Sequence, residues 1–251
     1  MRKILITGAS GGIAQEIVKL LPDDFLILLG RDRQKLDHIY AFHANKAIFS
    51  LDICDEKAVV ELIAHIYQEF GQIDILINNA GYGLYNDFEQ FTAQEVQDMF
   101  AVNTFATMTF CREVGKRMKA IRAGHIINIV SMSGLVASAK SSVYSATKFA
   151  LIGFSNTIRL ELAAYQVAVT TVNPGPVATP FFDLADPDGS YQESVKAFTL
   201  QPQVVAKQIV KAMKTRKREI NLPFSLAATS KFYSLFPSLA DYLARTVFNY
   251  K

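Results

Sequence analysis

At 251 residues, 50% of them hydrophobic and 20% charged, the chain has the balance of an ordinary globular protein and the length of a single α/β domain spanning 1–251. A net charge of +3 is too small to argue for a nucleic-acid partner, and the one basic run, 214–218 (KTRKR), reads as the solvated end of a helix. Cys54 and Cys111 lack metal-ligand spacing, the first strand is expected from Arg2 and no apolar run is of bilayer length, so the expectation is a cytoplasmic protein without metal, disulfide framework or signal peptide.

Residues 3–7 (KILIT) are a short apolar run ending in Gly8-Ala9-Ser10-Gly11-Gly12, and an amphipathic segment follows at 13–21. Strand, glycine-rich turn and helix are the context a phosphate-binding turn needs. Glycines let the backbone approach a pyrophosphate, and the helix start offers free N–H groups. The spacing departs from G-x-G-x-x-G, so a plain tight β–α turn is the competing reading. A second strand at 25–29 (FLILL) ends in Gly30-Arg31-Asp32-Arg33 and leads into a helical segment at 34–42. In a dinucleotide-binding fold this strand end lies beside the adenosine ribose, where an acid suits a free 2′-hydroxyl and an Arg suits a 2′-phosphate. Gly30 and Arg31 therefore favour NADP(H) over NAD(H), against a reading of Arg31 as a surface residue at a helix start.

Residues 46–51 read as a third strand closed by Asp52-Ile53, and 56–70 have helical periodicity. A fourth strand at 73–77 (IDILI) ends in Asn78-Asn79-Ala80-Gly81. Alternating strands and helices predict a parallel sheet wound on both sides. Thr92 and Glu95 form a capping box, and helical sequence then runs to about Arg122 with Asn103 inside it. A fifth strand at 125–130 (HIINIV) delivers Ser131 at its C-terminal end, the edge where catalytic groups of open α/β sheets lie.

A long helix is expected at 144–165 and a sixth strand at 167–172, followed by the loop Asn173-Pro174-Gly175-Pro176-Val177-Ala178-Thr179. Residues 181–200 mix aromatic, acidic and glycine residues and look like a lid or substrate loop. A helix at 203–215 and a seventh strand at 219–222, closed by Pro223, complete the pattern. The tail, 225–251, reads as two short helices split at Pro237. Its Leu226, Phe232, Leu235, Phe236, Leu239, Leu243 and Phe248 leave a broad apolar surface. Packing on its own domain, a dimer contact and a membrane-surface helix compete for that surface, the last lacking a strong basic face.

Ser131, Tyr144 and Lys148 carry the chemistry. Tyr144 and Lys148 are one helical turn apart and share a face. A phenol titrates near ~10, and a neighbouring ammonium is expected to lower that value toward the working range. Ser131 is placed to hold a substrate oxygen. This is the logic of a carbonyl/alcohol redox site, in which one group passes a proton, one orients and a cofactor passes hydride. Y-x-x-x-K alone is weak, because such pairs occur on many solvated helix faces.

In register along 3–222, these motifs resemble the short-chain dehydrogenase/reductase family in its short single-domain branch. Thr7 to Ala14 resembles the family's T-G-x-x-x-G-x-G turn, Asn78-Asn79-Ala80-Gly81 its N-N-A-G, and Pro174-Gly175 with Thr179 its P-G-x-x-x-T. Asn103, Ser131, Tyr144 and Lys148 match its catalytic tetrad. The resemblance implies a Rossmann-type doubly wound sheet of strand order 3-2-1-4-5-6-7, and dimers or tetramers built through the two long helices. It implies phosphate contacts at Gly8, Ser10, Gly12 and Ile13, adenine contacts at Asp52 and Ile53, and the 2′-phosphate at Arg31. Asn79, Ala80, Gly81, Pro174, Gly175, Val177 and Thr179 are its further cofactor-binding positions. Lys148 is expected to hold the nicotinamide ribose and lower the Tyr144 pKa, and Asn103 to position a water that resupplies the proton. Ala14 replaces the third glycine of the turn.

The expected activity is NAD(P)-dependent interconversion of a carbonyl and a secondary alcohol, with Tyr144 as general acid/base. The rival is a cofactor-binding regulator docking a partner through its tail, which loss of Tyr144 or Lys148 would have favoured. The expected substrate is an apolar carbonyl, with Phe149, Phe154, Phe181, Phe182 and Phe198 as candidate walls and Tyr82, Tyr85 and Tyr191 at the mouth.

Overall fold

Runs rich in Ile, Leu and Val become the strands of one sheet in the computed structural model, which describes residues 1–186 and 189–247. They are β1 (Lys3–Ile6), β2 (Phe25–Gly30), β3 (Lys46–Ser50), β4 (Ile75–Asn78), β5 (Gly124–Ile129), β6 (Val167–Pro174) and β7 (Glu219–Leu222). All pair in parallel, in the order β3-β2-β1-β4-β5-β6-β7. The chain winds outward from β1 to β3 and then returns to β4 beside β1. The order reverses there, and a crevice opens at the C-terminal strand ends.

The α-helices are α1 (Gly12–Lys19), α2 (Arg33–Ile39), α3 (Glu56–Phe70), α4 (Ala93–Phe100), α5 (Ala106–Ile121), α6 (Ser142–Ala163), α7 (Phe181–Ala185), α8 (Ser190–Val195), α9 (Pro202–Thr215), α10 (Phe224–Leu235) and α11 (Pro237–Val247). Strand side chains alternate between the sheet faces. Ile4 and Ile6 of β1 face a cluster with Ile17 of α1, Leu36 of α2 and Ile209 of α9. Leu5 faces the opposite cluster, with Ile63 of α3 and Val114 of α5. Ala14 is fully buried among the first set, alongside Val205 and Ala206 of α9.

The boundaries shift where tertiary pairing decides them. β4 begins at Ile75 because the Asp74 carboxylate accepts the Lys3 N–H at 2.7 Å, ahead of the ladder. β6 continues through Asn173 and Pro174, read as loop from the sequence, because β7 extends its ladder there: Asn173 pairs with Asn221 and Pro174 with Leu222. The Asn173 amide donates to Asn221 Oδ1 at 2.6 Å. The helical stretch after Thr92 keeps its capping box but is not one α-helix, since a π turn at Ala101–Phe105 separates α4 from α5. Pro237 does separate α10 from α11. Among the described residues, no helix is long and apolar enough to cross a membrane, and no His/Cys/Asp/Glu group is arranged to hold a metal.

Candidate active site

Small residues let β1 and β4 meet at their C-terminal tips. Gly8 has φ +61°, and a Cβ there would lie 2.6 Å from Ala80 Cα. Thr7 Oγ1 accepts the N–H groups of Asn79 and Ala80, both at 3.1 Å. The Asn79 amide donates to the Gly8 and Thr7 carbonyls at 2.9 and 3.2 Å. The glycine turn is thus held open by its neighbour strand. It leads into α1, whose first turn has no side-chain cap and no acid, so its N–H groups stay available to an anion. A Cβ on Gly12 would lie 2.7 Å from Thr179 Cγ2, which brings the loop after β6 down onto the turn.

Gly8, Ser10, Gly12, Ile13, Asn79, Ala80, Gly81, Pro174, Gly175, Val177 and Thr179 all line one cleft of about 2080 Å³. At its end beside the tips of β2 and β3 stand Arg31, Asp52 and Ile53, joined by Lys35, which the sequence did not single out. Arg31 is exposed at the tip of β2. Asp52 accepts the Cys54 N–H at 2.9 Å and closes the turn after β3. Arg33 points elsewhere, bonded to the Ile48 carbonyl at 2.9 Å and to Asp37 at 3.5 Å.

Ser131, Tyr144 and Lys148 come together at the deep end of the same cleft. Ser131 leaves β5 in extended backbone, accepts the Ser133 N–H at 3.1 Å, donates a long bond to the Pro174 carbonyl at 3.4 Å and lies beside the Tyr144 hydroxyl. On α6 the buried positions Tyr144, Lys148, Leu151 and Ser155 form one stripe. Lys148 Nζ lies 5.6 Å from the Tyr144 ring centroid and makes a long bond to the Ile129 carbonyl at 3.4 Å. The net lowering expected for Tyr144 is not found. Burial dominates and holds the phenol pKa well above its ordinary value, with the neighbouring Ser131 hydroxyl pulling it back in part. Burial likewise pushes the Lys148 ammonium down to about 8.

Asn103 sits in the π turn and is fully buried, outside the cleft lining. Its side chain accepts the Tyr82 N–H at 3.0 Å and donates to the Tyr82 carbonyl at 2.8 Å and to Thr147 Oγ1 at 3.1 Å. Thr147 Oγ1 in turn donates to the Tyr144 carbonyl at 2.7 Å. Asn103 therefore ties the loop after β4 to the turn of α6 that carries Tyr144 and Lys148.

The segment after β6 folds over the site as α7 and α8. Phe181 lies 5.8 Å from the Tyr144 ring, and Tyr85 stacks on Tyr191 at 4.3 Å with the rings 16° apart. The Tyr85 N–H donates to the Ala185 carbonyl at 3.0 Å, which fastens the loop after β4 to this cover. Tyr82, Tyr85, Tyr191, Phe181, Phe182 and Phe198 all line the cleft. Phe149 does not, being 44% exposed, and Phe154 packs into the core beneath α6. Phe149 follows Lys148 directly, which turns it roughly 100° away from the buried stripe. In the tail, Leu226, Phe232 and Leu243 line the cleft, whereas Leu235, Phe236 and Leu239 are exposed, and Phe248 lies outside the described residues.

The family model for the short chain dehydrogenase matches residues 2–188. The chain belongs to the short-chain dehydrogenase family. It is accordingly an oxidoreductase of a family that works with NAD(H) or NADP(H). This short-chain dehydrogenase is 30% identical over 208 residues to 3-ketodihydrosphingosine reductase of Bacteroides thetaiotaomicron, covering 82% of its own length and 76% of the relative's. It is 32% identical over 190 residues to human retinol dehydrogenase 8, covering 72% of this chain but only 60% of that one. A short-chain dehydrogenase structure from Streptomyces avermitilis superposes with a TM-score of 0.84 at 25% identity, over 96% of this chain and 97% of that one.

The residues of this short-chain dehydrogenase fit a nicotinamide dinucleotide. The glycine turn and the uncapped start of α1 suit its diphosphate, and the cleft runs unbroken from Arg31 to Tyr144. Two glycines that sequence reading missed shape the catalytic end. A Cβ on Gly83 would lie 3.0 Å from Phe181 and 3.1 Å from Tyr144, and one on Gly134 would lie 2.9 Å from the Lys148 carbonyl. Gly83 carries no turn signature, and the Ser133-Gly134 pair marks a turn without showing what it packs against, so only the fold exposes these contacts.

Proposed function

We propose that the protein is an NADPH-dependent carbonyl reductase producing a secondary alcohol, with Tyr144 as the proton donor. The observation that carries this reading is the convergence of Ser131, Tyr144 and Lys148 at the deep end of a cleft whose other end is a glycine turn and an uncapped helix start. The nicotinamide, when bound, supplies the hydride. Gly8, Ser10, Gly12 and Ile13 cradle the diphosphate, Asp52 and Ile53 flank the adenine, and Arg31 and Lys35 provide cations for a 2′-phosphate.

Ser131 donates to the carbonyl oxygen and orients it toward the Tyr144 hydroxyl, stabilising the negative charge that develops there. The buried phenol is protonated at neutral pH, so Tyr144 stands as the proton donor when a carbonyl is reduced. As the proton leaves, the ammonium of Lys148, with Nζ 5.6 Å from the Tyr144 ring centroid, is the nearby cation that offsets the charge of the forming phenolate. Asn103 acts at one remove, as a positioning residue: through Thr147 it fixes the helical turn that presents both groups. The aromatic cover of Tyr85, Phe181 and Tyr191 keeps bulk water from the reacting atoms.

The test is to incubate the enzyme with a panel of ketones and NADPH deuterated at the transferable nicotinamide position. The expected product is an alcohol carrying deuterium on the former carbonyl carbon. NADPH consumption without deuterated alcohol, or no consumption with any ketone, would overturn the reading.

A further inference from the structure

The cleft continues well past Tyr144. Its volume, about 2080 Å³, is shared between the stretch lined by the glycine turn, Arg31 and Asp52 and a second stretch beyond Tyr144. That second stretch is lined by two walls built from different parts of the chain. One is the tail. Leu226 is seated on the loop after β6, so closely that a Cβ on Gly175 would lie 2.8 Å from Leu226 Cδ1. Helix α10 also packs against the 3-10 turn Met132–Gly134, immediately after Ser131. From there Leu226, Thr229 and Tyr233, spaced along one face of α10, line the cleft together with Phe232, and Leu243 of α11 extends the wall. The facing wall is the cover, through Leu184, Val195 and Phe198.

The charges that line the cleft are distributed unevenly. Arg31, Lys35, Asp52 and Asp98 stand toward the ribose end, and Lys148 is at the catalytic centre. Between the cover and the tail the lining is uncharged except for Asp241, at an exposed position. A small polar carbonyl would leave these apolar walls wet, whereas a long hydrocarbon chain would dry them, a gain that grows with every methylene buried.

We infer that the space between α7–α8 and α10–α11 is a binding channel for an unbranched hydrocarbon chain, and that the substrate is a long-chain carbonyl compound whose oxygen rests at Ser131 and Tyr144. This inference rests on the carbonyl-reductase reading and names the substrate class of that same site.

The experiment measures kcat/KM with NADPH for straight-chain 2-ketones of increasing length, kept below the concentrations at which they aggregate. The expected result is a rise of about tenfold or more between five and eleven carbons, continuing the methylene discrimination of an apolar site. Phe232→Gln on the tail wall and Phe198→Gln on the cover should each flatten the rise, so the prediction stands even if one variant fails to fold. Phe224→Ser, at a position 84% exposed, should leave the rise as it is. Turnover of short ketones with no dependence on length, or a rise unchanged in both channel variants, would overturn the channel while leaving the reductase reading intact. No turnover at any length would remove the reductase reading itself.

Discussion

Lys148 Nζ stands 5.6 Å from the centroid of the Tyr144 ring, and the two residues are only 4% and 6% exposed. Burial penalises charge on either group. It raises the phenol and pushes the ammonium down to about 8, so below that pH the pair rests as neutral Tyr144 and charged Lys148. Reduction needs this combination, because the ammonium stabilises the phenolate left after proton transfer. The rate of ketone reduction, read as kcat/KM, should therefore fall as pH rises through about 8. In Lys148→Arg the charge does not titrate in this range, and the alkaline limb should move upward even though the geometry is imperfect. An unmoved limb would assign it to another group.

Gly83 is where the cover meets Tyr144. A methyl there meets Phe181 at 3.0 Å and Tyr144 at 3.1 Å, so the neighbours must yield by a few tenths of an ångström. Gly83→Ala should lower kcat by about tenfold through misplacement of the phenol. Because the added methyl meets Phe181 and Tyr144 and not the glycine turn, NADPH affinity in a binding titration should be unchanged. Loss of NADPH binding would mean that the substitution disturbs far more than the Tyr144 contact.

At the other end of the cleft, Arg31 and Lys35 are both available while Arg33 is committed to Ile48 and Asp37. Removing one charged contact to a phosphate weakens binding by about tenfold. Arg31→Ser should raise the Kd for NADPH by that factor and leave NADH nearly untouched, with Arg31→Ser/Lys35→Ser compounding the loss. Equal weakening of both cofactors would place Arg31 on a shared part of the dinucleotide, and tighter NADH than NADPH binding in the unaltered protein would contradict the NADP preference.

Much of this arrangement is legible in the sequence, and the exceptions have physical causes. Strand runs such as 25–29 and 125–130 announce themselves through their Ile and Leu content. The spacing of Ser131, Tyr144 and Lys148 puts the three within reach of one another once β5 and α6 are adjacent. The π turn at Ala101–Phe105 leaves no mark, because one extra residue per turn barely alters a short apolar pattern. Asn103 is consequently marked only by the family resemblance, and its turn inward to Tyr82 and Thr147 is visible only in the fold. Phe149 and Phe181 look equally apolar, and only helix phase and the folding of the cover separate them. The Tyr144 pKa lies above the expected direction because the phenol is buried, with Tyr85 against it, and no local stretch of sequence contains that packing.

Acid sensitivity should arise far from the cleft. His125, at the start of β5, is buried with Nε2 at 2.8 Å from Thr170 Oγ1, and Thr170 donates to the Lys217 carbonyl. Its Nδ1 is buried without a partner, and burial, then Arg216, pushes its pKa down to about 4 from 6.5. Between these values the unfolded chain binds a proton that the native state refuses, so stability present above pH 6.5 is lost as pH falls toward 4. The loss is on the order of 3 kcal/mol. Melting temperatures of His125→Gln should decline less steeply than those of the unaltered protein over this window, and parallel declines would point to other groups.

The central claim, that Tyr144 passes the proton in a reaction run on NADPH, is tested most directly by measuring turnover and cofactor binding side by side in Tyr144→Phe. With a ketone that the unaltered enzyme reduces, kcat should fall by about a hundredfold or more, the usual worth of a general acid. The Kd for NADPH, titrated by its fluorescence, should stay within about twofold, because the ring remains and only the hydroxyl is gone. Substantial turnover retained in Tyr144→Phe would contradict the assignment of Tyr144 as the proton donor.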